Sequence, residues 1–165
     1  LVIGGGMTAV DAAVQSKLLG AETVTIAYRR SKDKMGASTY EQELATSNGV
    51  VIRENLKPKT IIGNGKVSSV EFERTKQTSE GLTSTGEAIM ITADQVFVAI
   101  GQALSVNEER LEFAGNKINV SGSGRTSCNG VWAGGDCVSG GEDLTVTAVA
   151  QGRDAAEDIN LSLMG

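Results

Sequence analysis

The hydropathy pattern changes period within the first ten residues. Leu1-Val2-Ile3 is a continuous apolar run, the signature of a short buried strand. Met7, Val10, Ala13, Val14 and Leu18 then recur at helical spacing, which predicts a helix over 7–19 with Gly20 as its C′ stop. Thr23 to Tyr28 alternates and is β-branched, so it reads as a second strand. Strand, helix and strand in that order imply a right-handed crossover and a parallel sheet. The polar run Arg29 to Ser38 is a loop. Thr39 stands where a helix over 40–47 would be capped, with Glu41, Gln42 and Glu43 near its positive end. Asn48-Gly49 ends that helix, and Val50 to Arg53 is a third strand. Pro58 and Gly63-Asn64-Gly65 mark turns. Val67 to Arg74 and Ala88 to Thr92, separated by a Gly/Ser/Thr-rich loop, predict an antiparallel hairpin or meander. Asp94 to Ile100 is expected as a buried strand ending at Gly101.

Residues 1–101 thus read as one complete α/β unit, a Rossmann-like three-layer domain in which a meander replaces one crossover helix. The rhythm changes in 102–165. Lys117 to Val120 and Val131 to Asp136 are short expected strands, and Thr145 to Leu163 is a long helix. That is too little sheet for an independent core, so this segment is expected to need partners outside the chain. Leu1 already lies within a strand and no initiator methionine precedes it, which reads as a piece of a longer protein.

Composition removes several function classes. An apolar content of 40% suffices for a core, and a net charge of −5 leaves no electrostatic footprint for nucleic acid or an acidic membrane. No run of about 20 apolar residues and no signal-peptide pattern occurs, so a soluble, cytoplasmic protein is expected. With no histidine, His-based metal sites and His general bases are excluded within these 165 residues. Cys128 and Cys137 are nine apart, the wrong spacing for a C-x-x-C dithiol, and two cysteines cannot hold an iron–sulfur cluster. Two unpaired thiols are the expectation.

Three motifs carry candidate chemistry. The first strand runs into Gly4-Gly5-Gly6-Met7-Thr8-Ala9, a G-x-G-x-x-A turn that opens a helix. Gly4 permits the tight turn, Gly6 lets a diphosphate approach the backbone, and Ala9 lets the helix pack close to the sheet. Backbone N–H groups from Gly5 to Thr8 would make the contacts, with the Thr8 hydroxyl in reserve; a purely structural glycine turn is the competing reading. After the second strand, where NAD sites tend to place an acidic residue, the chain has Tyr28-Arg29-Arg30, with Lys32 and Lys34 close behind. A guanidinium fork suits a ribose 2′-phosphate, and Tyr28 or Arg29 could stack on adenine. This favours NADPH, with NADH as the alternative; a solvated basic loop is the other explanation. Finally, Gly134-Gly135-Asp136 follows an apolar run. A carboxylate there can accept hydrogen bonds from sugar or ribityl hydroxyls, and Leu144 to Ala148 opens a helix whose N-terminus could stabilise negative charge on a flavin ring. The same three residues also suit an ordinary turn with a capping Asp.

Together, VIGGGMTAVDAA, GAETVTIAYRR, DQVFVAIG and GVWAGGDCVSGGEDLTVTAVAQGRDAA resemble the two-dinucleotide-binding-domain flavoproteins of the pyridine-nucleotide oxidoreductase group. Within it they are most similar to glutamate synthase small subunits and the related half of dihydropyrimidine dehydrogenases. The last stretch is the most specific. The resemblance implies that 1–101 is the NAD(P)H domain and that 102–165 is the C-terminal part of an FAD-binding domain whose remainder lies outside this chain. It implies that Gly135 and Asp136 lie at the FAD ribityl or pyrophosphate region, that Thr145 and Val146 lie beside the isoalloxazine, and that Gly101 sits at the domain crossover. It further implies iron–sulfur clusters outside this chain and a large catalytic subunit that accepts the electrons. No catalytic acid or base is expected here, because hydride transfer is the cofactors' chemistry. A dihydropyrimidine dehydrogenase-like flavoprotein and a non-catalytic nucleotide-binding module are the alternatives.

Overall fold

The structure, a computed structural model, describes residues 1–106 and 108–165. The chain divides into two compact units, Leu1–Gly101 and Gln102–Gly165.

The first unit is built on a four-stranded parallel sheet. Its strands are β1 (Val2–Gly4), β2 (Val24–Ala27), β3 (Val50–Arg53) and, after the meander, β7 (Phe97–Ala99), in the order β3-β2-β1-β7. Helices α1 (Met7–Leu18) and α2 (Thr39–Ser47) join β1 to β2 and β2 to β3. The meander consists of β4 (Leu56–Gly63), β5 (Val67–Thr78) and β6 (Gly81–Thr92), paired antiparallel in that order.

Alternation along the strands creates three layers. Val2 and Ile26 join a core with Ala9, Val10, Ala13 and Ala45 from the helices. Their neighbours Ile3 and Ala27 point the other way, into a core with Leu56, Val70 and Phe72 from the meander. A parallel sheet covered on both faces reads as a continuous apolar run for this reason. Two buried clusters, the second filled by Phe72, form the core that 40% apolar content allows.

Several expected boundaries are corrected. The α2 N-cap is Ser38, not Thr39: Glu41 N–H donates to Ser38 Oγ at 3.3 Å, and Ser38 N–H donates to the Glu41 carboxylate at 2.6 Å. This is a reciprocal capping box. Pro58 lies within β4 rather than in a turn. β4 is an edge of the meander, where a missing N–H is tolerated, and its register shifts between Pro58 and Thr60. The Gly/Ser/Thr-rich stretch is strand: β5 and β6 pair from Ser69–Thr92 to Thr78–Gly81, beyond the end of β4 at Leu56–Arg74. The strand expected over 94–100 covers only 97–99, and Phe97, Val98 and Ile100 are exposed rather than buried. β7 is an edge strand of the sheet. Ile100 and Val98 join Ile3, Pro58 and Ile61 in lining a shallow apolar groove.

The second unit has little regular structure besides α3 (Thr145–Met164). β8 (Phe113–Ala114) and β9 (Lys117–Ile118) form a two-residue ladder, and the strand expected over 131–136 is reduced to a bridge between Arg125 and Trp132. Among its described residues, the buried apolar groups are Ile118, Cys128, Val138 and Ala155. Polar contacts supplement that small core. Arg125 makes a two-pronged ion pair with Asp158, at 2.6 and 3.1 Å, and donates to Ser162 Oγ at 2.6 Å. Its guanidinium lies 5.2 Å from the Trp132 ring centroid, and Trp132 Nε1–H donates to Asp158 at 2.7 Å. Arg125 first, and Trp132 second, hold the Asp158 carboxyl below its usual range.

Candidate functional site

The glycine turn is shaped by what each glycine faces. A Cβ on Gly4 would lie 2.2 Å from the Ala99 carbonyl oxygen, and φ is +151° there, so β7 closes on the turn only because Gly4 has no side chain. A Cβ on Gly5 would lie 2.5 Å from the Tyr28 ring. Gly6 is different: among the described residues beyond its chain neighbours, nothing lies within 4 Å of the Cβ it lacks. Gly4 and Gly5 are therefore glycines for the fold, and Gly6 borders open space.

Gly6 is also the N-cap of α1, with no side-chain cap and no acidic residue in the first turn. Ala9 and Val10 N–H donate to the Gly6 carbonyl at 3.0 and 3.2 Å. Among the described residues, the N–H groups of Gly6, Met7 and Thr8 have no backbone acceptor. Met7 and Thr8 are exposed, while Ala9 is buried against the sheet. Free donors, the positive end of a twelve-residue helix and open space at Gly6 together fit a diphosphate.

The loop after β2 folds over this turn. Ala37 N–H donates to the Gly5 carbonyl at 3.0 Å, and the Cβ position of Gly36 is 3.8 Å from Gly6 Cα. Met35 and Ala37 are buried in the helix-side core. Tyr28 is half-buried, with its ring across Gly5 and its hydroxyl donating to the Lys34 carbonyl at 2.6 Å. These contacts hold one side of the Tyr28 ring against the glycine turn.

Arg29 and Arg30 are exposed at the end of β2. Their carbonyls are fixed: Arg29 O accepts from Thr75 Oγ1 at 2.7 Å, and Arg30 O accepts from Asn55 N–H at 3.0 Å. Among the described residues, neither guanidinium has a carboxylate within 4.0 Å, whereas Lys34 is 3.4 Å from Asp33. A hydrogen bond from Ser31, and then Lys34, keep Asp33 ionised by lowering its pKa. The backbone beneath the arginine pair is anchored and both cationic heads are available. Sequence reasoning missed Asn55 and Thr75 as its anchors; Asn55, at φ +59°, gave no signal beyond a turn-prone residue type.

In the second unit, Gly135 and Asp136 open a short 3-10 turn, Gly135–Cys137. Gly135 has φ +77°, and Asp136 is exposed. Thr145 and Val146 are the first residues of α3, both exposed; Leu144 caps it without a side-chain hydrogen bond. Turn and helix are joined by Gln151, whose Oε1 accepts the Gly135 N–H at 2.6 Å. Cys137 Sγ–H donates to the Gly134 carbonyl at 3.2 Å. Both cysteines are free thiols, and no group of metal-ligating side chains forms among the described residues. Gly101, at φ +94° and exposed, is the last residue of the first unit.

A doubly covered parallel sheet with a glycine turn feeding a helix N-terminus defines a Rossmann-type nucleotide-binding protein. The chain belongs to the pyridine nucleotide-disulphide oxidoreductase family, which it matches over residues 1–152. It is 37% identical over 177 residues to the NADPH glutamate synthase small chain of Escherichia coli K12, an alignment covering 96% of this chain and 37% of that one. It is 34% identical to the NAD-dependent dihydropyrimidine dehydrogenase subunit PreT of Escherichia coli O157:H7, over 100% of this chain and 37% of the relative. Among solved structures, thioredoxin reductase of T. acidophilum superposes with a TM-score of 0.82 at 25% identity, covering 99% of this chain and 52% of that one. The chain thus spans less than half the length of the curated relatives it matches. No helix among the described residues is long and apolar enough to cross a membrane.

Proposed function

We propose that the chain is the electron-input segment of a flavoprotein oxidoreductase similar to a glutamate synthase small subunit. NADPH binds with its diphosphate at Gly4 to Ala9 and its 2′-phosphate at Arg29 and Arg30. In the full-length protein FAD lies along Gly135 and Asp136, with its ring near Thr145 and Val146. When bound, the two cofactors supply hydride transfer and the passage of electrons to a partner large subunit, through iron–sulfur centres outside this chain.

The chain's own residues bind and orient. Gly6, Met7 and Thr8 offer donors to a diphosphate, and the anchored arginine loop offers charge-assisted forks to a phosphate. Asp136 offers acceptors to sugar-like hydroxyls, and the uncapped start of α3 offers a positive dipole end. The observation that carries the proposal is the open space at Gly6 together with the N–H groups of Gly6, Met7 and Thr8, which have no backbone acceptor among the described residues.

Nucleotide preference separates the two kinds of relative, since the glutamate synthase chain is named for NADPH and the dihydropyrimidine dehydrogenase subunit for NAD. The arginine pair favours NADPH. Calorimetric titration of the chain with each nucleotide tests this, alongside Arg29→Ala/Arg30→Ala. The double variant should lose roughly 1.5–3 kcal/mol of NADPH affinity and little for NADH. Equal losses would remove the 2′-phosphate assignment. Binding of nucleotide by a full-length protein that holds no flavin would favour a non-catalytic module.

A further inference from the structure

We propose that Gln151 is a positioning residue that locks the Asp136 turn to the N-terminal end of α3, so that two elements meet the flavin as one rigid surface. This rests on the flavin reading given above.

Gln151 lies six residues into α3, about 9 Å along the axis from Thr145. Its side chain is half-buried and threads between two glycine turns. On one side, Oε1 accepts the Gly135 N–H at 2.6 Å, and a Cβ on Gly134 would lie 3.1 Å from Gln151 Cβ. On the other, a Cβ on Gly141 would lie 2.8 Å from Nε2. Gly134 and Gly141 therefore leave the room that the glutamine fills. Gly135, whose N–H is held, directly precedes Asp136 and is itself 3.4 Å, at its Cβ position, from the Ala148 side chain.

The Gln151 amide thus ties the turn to the helix less than two turns from its uncapped start. Asp136 is on the turn, and Thr145 and Val146 are at that start, so the separation of the carboxylate from the helix donors is set by Gln151. Loosening this contact leaves both elements present but unregistered. Cofactor retention falls, and the helix dipole acts less effectively on charge that accumulates in reduced flavin. The acceptor matters, rather than the bulk, because among the described residues Gly135 N–H has no other acceptor.

The test uses the full-length flavoprotein. FAD dissociation is followed by flavin fluorescence and the flavin midpoint potential by spectroelectrochemistry, for wild type, Gln151→Met, Gln151→Asn and Gln151→Glu. Met preserves bulk without the acceptor, Asn keeps the amide one methylene short of Gly135, and Glu restores an acceptor at full length. Met and Asn should weaken FAD about tenfold or more and move the potential to more negative values. Glu should retain FAD within about threefold of wild type, and NADPH affinity should stay unchanged throughout. If Met fails to fold, Asn carries the same expectation. Lowered thermal stability with unchanged FAD affinity and potential would overturn the proposal, as would equal loss in Met and Glu. Wild type without flavin would instead overturn the flavin reading itself.

Discussion

At the scale of single residues, three adjacent glycines have three different reasons to be glycine. Gly4→Ala drives a methyl group into the Ala99 carbonyl at a positive φ, and should cost about 2–4 kcal/mol in urea unfolding. Gly6→Val puts its Cβ where no described protein atom lies within 4 Å, so stability should change by about 1 kcal/mol or less, the N-cap contribution. It should nevertheless abolish dinucleotide binding by calorimetry; retained binding would make the turn merely structural. Gly5 is tied to Tyr28, whose ring is held in place by its bond to the Lys34 carbonyl, so positions 5 and 28 must change together. The spacing Gly4, Gly6 and Ala9 was legible because it is local. The Gly5–Tyr28 contact was not, because it joins residues 23 apart and no period in the sequence reports it. Arg29 and Arg30 were legible as charges at a strand end, whereas their anchors Asn55 and Thr75 became visible only with the meander in place.

At the scale of elements, each helix of the first unit was legible from its periodicity, and its ends were not. Ser38 displaces Thr39 as cap because its side chain reaches the N–H of Glu41 while Glu41 reaches back. Ser38→Ala should cost about 1 kcal/mol by urea unfolding, and an unchanged midpoint would contradict the capping box. The meander was read too short because threonine, serine and glycine in Gly81–Thr92 look like loop, although threonine suits an exposed strand. In α3 the Asp158 pair makes stability pH-dependent. A carboxyl whose pKa is depressed by folding contributes above its unfolded value, near about 3.9, and loses that contribution as pH falls through the folded value. The stability gap between wild type and Asp158→Asn should be present at neutral pH and shrink progressively below about pH 4. A gap that stays constant into acid would mean that the Arg125 pair does not survive in solution.

At the scale of the whole molecule, the two units rest on unequal cores. Leu1–Gly101 holds both large buried clusters, whereas Gln102–Gly165 relies, among its described residues, on four buried apolar groups and the Arg125–Trp132–Asp158 contacts. The sole tryptophan, Trp132, lies in the weaker unit. Its fluorescence should therefore lose native character at a lower temperature than the far-ultraviolet circular dichroism of the chain. NADPH at about 100 times its dissociation constant should stabilise the first unit by about 2.7 kcal/mol and leave the fluorescence transition in place. Coincident transitions that move together would contradict separate unfolding. The structure divides at Gly101, where the regular strands of the sequence run out. The hairpin of β5 and β6 beyond β4 has a different consequence. Its tip, Ser79 and Glu80, is exposed, and the strands around it from Lys76 to Thr83 pair with each other but not with β4. The fold thus provides its own splice point: a peptide tag or fluorophore-bearing insert between those residues would lengthen a free ribbon and leave both cores and the glycine turn intact.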